Sequence, residues 1–260
     1  MGKMIIVSNM KGGCGKTMTT LSLGVGLARK GKRVLCLDAD PQHSLTVSCG
    51  IAEPEKLTVT LSSVLTNIIN GTDFEATNGI INHSEGFDLM PSNNALAGME
   101  FSLIQLIGRE TILRQYINRI KHTYDYIVAD CAPSLDLLTV NALAAAHSVV
   151  IPVVPRFLDA KGLELLLKSI AQIREYINPT LSIEGILFTM TDQRMKFTKE
   201  IIAMIESAYG NKIHIFGNHI PHSVRAAEAS ATGKSIFTHD PTGRVASAYY
   251  SLAEEVLGNA

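Results

Sequence analysis

Strong charge of either sign is missing from this sequence. Its 23 Lys and Arg residues nearly match its 24 Asp and Glu residues, which leaves a formal charge of −1. No whole-molecule positive field therefore attracts nucleic acid or anionic lipid, so any such binding must use a local patch. Because 46% of the 260 residues are hydrophobic, the chain can bury a large core, and this excludes an intrinsically disordered protein.

Long apolar runs are also missing, and we expect no leader. The longest run, 149–154, contains Pro152 and is far shorter than the roughly 20 residues of a membrane span. The N-terminus lacks the apolar stretch and small-residue cleavage site of a signal peptide. The four cysteines of the chain are scattered, with no Cys-x-x-Cys pair and no His at metal-ligand spacing. We therefore expect a cytoplasmic protein with reduced thiols and no membrane partner.

Short β-branched runs alternate with longer helical patterns along the chain. Runs that are apolar on both faces, such as 34–37 and 149–153, are typical of parallel strands covered by helices on both sides. The predicted strands are 4–8, 34–37, 126–129, 149–153, 183–189 and 213–220. The predicted helices are 16–29, 109–120, 135–146, 163–176, 196–208 and 245–257. These patterns predict an α/β fold with a doubly wound, mostly parallel sheet flanked by helices.

Nothing in the sequence divides the chain into separate domains. It has no internal repeat and no linker rich in Pro, Gly or Ser. We therefore expect one domain over 1–260, with 51–100 as an irregular decoration of the sheet. Only three residues precede the first predicted strand, so we expect no N-terminal helix-turn-helix domain.

A glycine-rich loop follows the first predicted strand and leads into a predicted helix. This is the context of a P-loop, in which glycines let backbone N–H groups close around phosphate oxygens and the helix N-terminus adds partial positive charge. In such a loop Lys16 neutralises the β and γ phosphates, and the Thr17 hydroxyl ligates Mg²⁺. The sequence therefore predicts ATP and Mg²⁺ as ligands. The residues predicted to contact the nucleotide here are Lys11, Gly12, Gly13, Cys14, Gly15, Lys16, Thr17 and Met18.

Two features of this loop carry a family resemblance. Gly12 and Gly13 are adjacent and follow a second lysine, Lys11, which resembles the deviant Walker A motif of the ParA/MinD family of ATPases. The resemblance implies that Lys11 reaches across a nucleotide-sandwich homodimer to the phosphates of the partner subunit and acts in catalysis with Lys16. Met18 stands where the family usually has Thr or Ser, so a hydroxyl contact to the α phosphate is lost.

Acidic residues end two of the predicted strands. The residues Asp38-Ala39-Asp40-Pro41-Gln42 look like the Asp-x-Asp-Pro-Gln motif of the family, at the sheet edge where ligands bind. The resemblance implies that Asp40 orients the attacking water and that Asp38 supports Mg²⁺ through water. A turn capped by the two aspartates is the alternative. An apolar strand that ends in Asp130 is the Walker B pattern, whose carboxylate holds the Mg²⁺ shell.

The resemblance extends to two late blocks, 186–194 and 220–229, and to 238–241 and 248–250, which look like ParA and Soj partition ATPases. It implies an adenine pocket formed by Met190, Asp192, Pro221 and His222. His222 replaces an arginine of many relatives, and a surface histidine is an equal alternative.

Basic residues of the same blocks form, in this family, a composite surface of the ATP-bound dimer that binds DNA without sequence preference. The resemblance places Arg194 and Arg225 there, with Lys196, Lys199 and Lys234 as candidate neighbours. Ordinary solvated cations are the alternative. Phosphate contacts add up, so a dimer that doubles a small patch can bind DNA although each monomer is nearly neutral.

The function predicted from these motifs is DNA partition by a slow, Mg²⁺-dependent ATPase. The resemblance implies that an ATP-bound dimer binds DNA and that a ParB-like centromere-binding partner stimulates the hydrolysis that releases it. The alternatives are a MinD-like or other cargo-positioning ATPase, an iron–sulfur electron carrier, and a metabolic enzyme such as dethiobiotin synthetase. Residues 250–260 contain two acidic residues and no lysine, which disfavours the basic membrane helix of a MinD-like protein.

Overall fold

Seven strands form one twisted sheet in the computed structural model, which describes residues 2–258 apart from the side chains of 157–161. The sheet order is β3-β4-β2-β5-β1-β6-β7, and every neighbouring pair is parallel except β3 and β4. The strands are β1 (Lys3–Val7), β2 (Val34–Ala39), β3 (Ile81–Asn82), β4 (Asp88–Met90), β5 (Tyr126–Cys131), β6 (Ser148–Val153) and β7 (Ser182–Phe188). The predicted α/β fold class is confirmed.

Helices cover both faces of this sheet. They are α1 (Lys16–Arg29), α2 (Ser44–Ser48), α3 (Leu61–Asn70), α4 (Ala95–Ile104), α5 (Ile112–Ile120), α6 (Leu137–Ala145), α7 (Phe157–Tyr176), α8 (Lys196–Tyr209), α9 (Val224–Ala231), α10 (Ile236–His239) and α11 (Arg244–Gly258). Within residues 2–258, no helix has the length and apolar character needed to cross a membrane.

The central strands separate two apolar cores. Successive side chains of a strand point to opposite faces, so Met4 and Ile6 of β1 pack in one core while Ile5 and Val7 pack in the other. Strands β2, β5 and β6 are buried along their whole length. This double burial is why their sequences are apolar without alternation. The four cysteines are buried, and none forms a disulfide with another described residue.

Helices α2, α9 and α10 were not predicted, and two further segments differ from the sequence prediction. Residues 213–220 form no regular strand, and only the isolated bridge of Ile215 to Ile186 attaches their middle to the sheet. Gly217 and Asn218 are exposed there, so the segment has too few buried positions for a continuous strand. The stretch 51–100 is more regular than predicted, because it supplies β3, β4, α3 and α4 and extends one edge of the sheet.

A close contact fixes α1 against β2. The helix begins at Lys16 and ends at Arg29, as its apolar periodicity predicts. Gly24 in its middle faces the sheet, and a Cβ atom added there would overlap with the Sγ atom of Cys36. The approach of helix to strand therefore depends on a missing side chain at position 24.

Gly24→Ala is expected to destabilise the protein by about 1–3 kcal/mol. The added methyl group overpacks a buried helix–strand contact, and this destabilisation exceeds the stabilisation from the higher helix propensity of alanine. Denaturant unfolding followed by circular dichroism measures the change. Cys36→Ala removes the Sγ atom, so the double variant should recover most of the loss. Strictly additive effects of the two substitutions would contradict this packing.

Candidate nucleotide-binding site

The loop between β1 and α1 has the backbone of a phosphate cradle. Gly13 and Gly15 adopt positive φ values of 72° and 84°, in the left-handed region that glycine enters at low cost. Helix α1 begins directly after Gly15, so its first N–H groups point into the loop. The loop thus presents backbone donors and the positive end of a helix dipole at one point.

Hydrogen bonds from distant strands hold this loop in place. The Asn9 side chain donates to the Pro152 carbonyl at 2.7 Å and accepts from the Lys11 N–H at 3.1 Å. The Thr189 hydroxyl donates to the Cys14 carbonyl at 2.8 Å. Sequence reasoning missed Asn9 and Thr189. Their signal is weak, since each is only a polar residue just beyond an apolar run.

The two loop lysines differ in environment. Lys16 is buried, with only 7% of its surface exposed, and its Nζ atom donates to the Lys11 carbonyl at 3.1 Å inside the loop. Lys11 is exposed, and its side chain does not line the cavity above its own loop. The ammonium group of Lys16 is therefore directed at the phosphate position of its own subunit, whereas that of Lys11 faces outward.

Three aspartates gather beside Thr17 at the carboxyl edge of the sheet. Asp38 and Asp130 are register partners on β2 and β5, and both are fully buried. The Thr17 hydroxyl donates to Oδ2 of Asp130 at 2.6 Å. Asp40 is also buried, lines the cavity, and accepts from the Gln42 N–H at 2.8 Å.

The hydrogen bonds of Asp38 connect it to residues that follow β2 in the sequence. Its Oδ2 atom accepts from the N–H and the hydroxyl of Thr46 in α2, at 2.7 Å and 2.6 Å. Its Oδ1 atom accepts from the Asp40 N–H at 3.2 Å. Both oxygens are thus engaged with protein, which fits an indirect role for Asp38 beside a metal ion better than direct ligation.

Burial controls the ionisation of this acidic cluster. Burial first, and then repulsion by Asp38, raises the pKa of Asp130 to about 8, although the hydrogen bond from Thr17 acts in the opposite direction. Burial also raises the pKa of Asp38 to about 6, against the hydrogen bonds of Thr46. Neighbouring buried carboxylates are costly unless a cation compensates them.

The donor set fits Mg²⁺. A hydroxyl and carboxylates are the hard oxygen ligands that this ion prefers, and Thr17 and Asp130 already lie side by side. Within the described part of the chain, no group of three or more His, Cys, Asp or Glu side chains forms a metal site by itself. The ion would therefore need oxygens from nucleotide phosphates or water, as Mg²⁺ commonly does.

A cavity of about 510 Å³ opens above the P-loop. Its phosphate end is formed by Gly12, Gly13, Gly15, Lys16 and Thr17. Met18, Met190, Pro221 and His222 line it, so the structure brings four residues predicted to contact the nucleotide to the same cavity. Helix α9, which the sequence analysis did not predict, forms another wall with Ala226 and Ala227.

Asp192 lies in a different place from the other predicted adenine contacts. It lines a neighbouring polar cavity of about 490 Å³ together with Arg194 and Arg244. Its two carboxylate oxygens accept from Nε and Nη2 of Arg194 at 3.0 Å and 2.9 Å. The two cavities share Pro221 and His222, so they adjoin each other.

The basic residues of the late blocks are on the surface. Thr191 bridges Pro221, which places the two blocks side by side. Neither arginine of these blocks lines the P-loop cavity. The five cations predicted to bind DNA are all exposed: Arg194, Lys196, Lys199, Arg225 and Lys234. Arg244 at the start of α11 joins Arg194 in the polar cavity, and the sequence analysis missed it.

Asp130→Asn is expected to stabilise the nucleotide-free protein. The folded pKa of about 8 exceeds the ordinary value of 3.8, so the unfolded state binds fewer protons between these pH values and wild-type stability falls as pH rises through them. The amide removes this dependence, so the gain should grow from about pH 5 to pH 8 and reach about 1–2 kcal/mol. Thermal unfolding with a chelator present, at several pH values, measures it.

Asp125→Asn is the matched control with the opposite sign. Its hydrogen bonds with Arg33 lower the pKa of Asp125 to about 2, so this carboxylate contributes stability above its ordinary pKa that is lost as pH falls toward about 2. The control should lose a little stability at neutral pH. Parallel pH profiles of the wild type and Asp130→Asn would contradict the raised pKa of Asp130.

Comparison with known proteins agrees with this architecture. A family model described as an AAA domain matches residues 2–183. The sporulation initiation inhibitor protein Soj of Bacillus subtilis is 39% identical over 259 residues, which cover 100% of both chains. The chromosome partitioning protein ParA of Caulobacter vibrioides is 34% identical over 98% of this chain and 94% of its own.

A solved structure extends the agreement to three dimensions. The structure of cobyrinic acid a,c-diamide synthase from Mycobacterium smegmatis, with bound ADP and magnesium, matches with a TM-score of 0.85 and 32% identity. The match covers 99% of this chain and 94% of the synthase chain. Full-length similarity to Soj and ParA, together with the P-loop and strand-end aspartates, shows that the chain belongs to the ParA/Soj family of ATPases.

Proposed function

We propose that this protein hydrolyses ATP with Mg²⁺ in order to segregate DNA, as an ATP-bound homodimer that binds duplex DNA without sequence preference. A ParB-like centromere-binding partner stimulates the hydrolysis. The observation that carries the ATPase part is the 2.6 Å contact of Thr17 with Asp130 directly beneath the glycine loop. It joins the metal-ligating hydroxyl of a P-loop to the acidic end of a neighbouring strand.

The cavity supports a definite orientation for ATP. The phosphates lie on the backbone donors of the P-loop, with Lys16 at their negative charge. The base lies toward Met190, Pro221 and α9, which supply the apolar surface that a purine needs. Mg²⁺ held near Thr17 and Asp130 would neutralise charge on the β and γ phosphates.

Asp40 is the residue best placed to act on water. It lines the cavity on the phosphate side, whereas Asp38 and Asp130 lie beneath the surface. Its Oδ1 atom accepts from the Gln42 N–H, which fixes the orientation of the carboxylate. A carboxylate held in this way can accept a hydrogen bond from a water molecule and orient it toward the γ phosphate.

Lys11 supports the homodimer. Its backbone is fixed on both sides, since its N–H donates to Asn9 and its carbonyl accepts from Lys16. Its side chain is nevertheless exposed and lies outside its own nucleotide cavity. A rigid backbone that presents an outward lysine at the phosphate end is suited to contact the phosphates of a second subunit.

The surface arginines favour DNA segregation over synthesis. The M. smegmatis structure is named for an amide synthase, so the shared nucleotide site alone does not decide the reaction. Arg194 and Arg225 lie outside the nucleotide cavity of this chain and are exposed. An enzyme that synthesises a small molecule would not need exposed arginines at these positions or an outward Lys11. DNA binding by a dimer would use Arg194, Arg225 and Lys11.

Lys16→Ala and Lys11→Ala are expected to separate ATP binding from dimerisation. Loss of the buried charge of Lys16 should weaken ATP binding by at least about 100-fold, because charge-assisted contacts to phosphate are lost. Lys11→Ala should retain monomer affinity and lose the ATP-dependent dimer. Calorimetric titration gives the affinity, and gel filtration with light scattering gives the mass. Lys32→Ala, in the exposed turn after α1, is the control. Equal loss of affinity in both variants would rule out the cross-subunit role.

Arg194→Glu and Arg225→Glu are expected to lose DNA binding while they keep the ATP-dependent dimer. Fluorescence anisotropy on two unrelated duplexes, with and without ATP, tests this. For the wild type, log affinity should fall linearly with log salt on both duplexes, since phosphate contacts release counterions.

Arg33→Glu is the control for these charge reversals. Arg33 lies just before β2, at the amino-terminal ends of the parallel strands and thus opposite the nucleotide site. This variant makes the same charge change and should bind DNA like the wild type. Binding that is insensitive to salt, confined to one sequence, or retained in both reversals would favour another cargo-positioning ATPase.

A further inference from the structure

Carboxylates accompany three of the cations proposed to contact DNA. Arg194 pairs with Asp192 at 2.9 Å, Arg225 with Glu228 at 3.5 Å, and Lys196 with Glu200 at 3.6 Å. These pairs are local, with partners two to four residues apart in the chain. The surface proposed to bind DNA is therefore partly neutralised by its own side chains.

The pair of Asp192 with Arg194 has the most complete geometry of the three. Besides the two contacts from the guanidinium group, the Arg194 N–H donates to Oδ1 of Asp192 at 3.1 Å. The Arg194 side chain is nonetheless 91% exposed, so the protein interior does not hold it there. Hydrogen bonds from Arg194, and then the charge of nearby Arg244, lower the pKa of Asp192 to about 2, so the carboxylate is ionised under all physiological conditions.

The same donors of Arg194 are those that a phosphate group would use. Guanidinium groups bind carboxylate and phosphate through the same fork of parallel N–H donors. Asp192 occupies Nε and Nη2 of this fork and also faces Arg244 across the polar cavity. A DNA phosphate that takes these donors must first displace the carboxylate.

We infer that Asp192 competes with DNA phosphate for Arg194 and thereby lowers the DNA affinity of the ATP-bound dimer. This inference rests on the proposed function, because it concerns the same DNA-binding surface. The competition is mild, since exposed ion pairs have small net free energies. Each dimer contains the pair twice, so both copies lower its DNA affinity.

A second pair with nearly the same geometry lies at the amino-terminal ends of the parallel strands. The Arg33 N–H, Nε and Nη2 donate to Asp125 at 2.9 Å, 3.3 Å and 2.9 Å. Arg33 and Asp125 immediately precede β2 and β5, whereas the nucleotide site lies where these strands end. Asp125→Asn therefore changes the charge and the contacts as Asp192→Asn does, but away from the proposed DNA surface.

The test compares Asp192→Asn, Asp125→Asn and the wild type by fluorescence anisotropy on one duplex with ATP, in low salt and in high salt. Asp192→Asn should bind DNA about two- to tenfold more tightly in low salt, from two released pairs for each dimer. The ratio should fall toward one in high salt, because screening weakens both the ion pair and the phosphate contact. Asp125→Asn should remain within about twofold of the wild type.

Three results would overturn the inference. Weaker DNA binding by Asp192→Asn would mean that the carboxylate positions Arg194 for phosphate. An equal increase in Asp125→Asn would mean that only total charge matters. Loss of the ATP-dependent dimer in Asp192→Asn, measured by light scattering, would assign Asp192 to the nucleotide site instead.

A second variant and the wild type separate this inference from the proposed function. Glu228→Gln weakens the pair with Arg225 and should also tighten DNA binding; Glu228 contacts His239 at 3.4 Å as well, and its side chain does not line the nucleotide cavity. Wild-type protein that binds no duplex with ATP, while both variants also fail to bind, would overturn DNA binding and the competition together. Wild-type binding that neither variant increases would overturn the competition alone.

Discussion

The contact between Thr17 and Asp130 joins the two parts of the molecule on which the site depends. Thr17 belongs to the first turn of α1, and Asp130 belongs to β5, between β1 and β2. Asp130 is fully buried beside Asp38, so its charge is costly until a cation arrives. The protein therefore maintains an unfavourable arrangement in its nucleotide-free form, and this cost favours binding of the metal and nucleotide that relieve it.

One loop connects the nucleotide cavity to the basic surface. Thr189 holds the P-loop through the Cys14 carbonyl, Met190 lines the cavity with a positive φ of 51°, and Asp192 holds Arg194. Only five positions along the chain thus separate Thr189, which holds the P-loop, from Arg194 on the surface. Because the loop also bridges Pro221, it connects a second part of the cavity wall to the pair of Asp192 with Arg194.

The parts of the fold and site that could be predicted from sequence are those with local causes. Strands β2 and β6 are apolar because helices cover both faces, and the P-loop needs its glycines for its own backbone. Residues 213–220, β3 and β4 have weak local patterns, and their structure is decided by distant chain segments. Asn9 and Thr189 could not be found for the same reason, since their partners are 143 and 175 residues away.

In the proposed function, ATP can control DNA binding only if the basic surface of each monomer is weak. If one monomer presented enough unpaired cations to bind DNA by itself, dimerisation would add affinity but would no longer decide whether DNA is bound. Under the proposed function, the net charge of −1 and the paired cations would keep the monomer below that level. Because phosphate contacts add in free energy, joining two such surfaces multiplies their separate affinities. In the proposed function, partial neutralisation would therefore make ATP-dependent dimerisation the requirement for DNA binding.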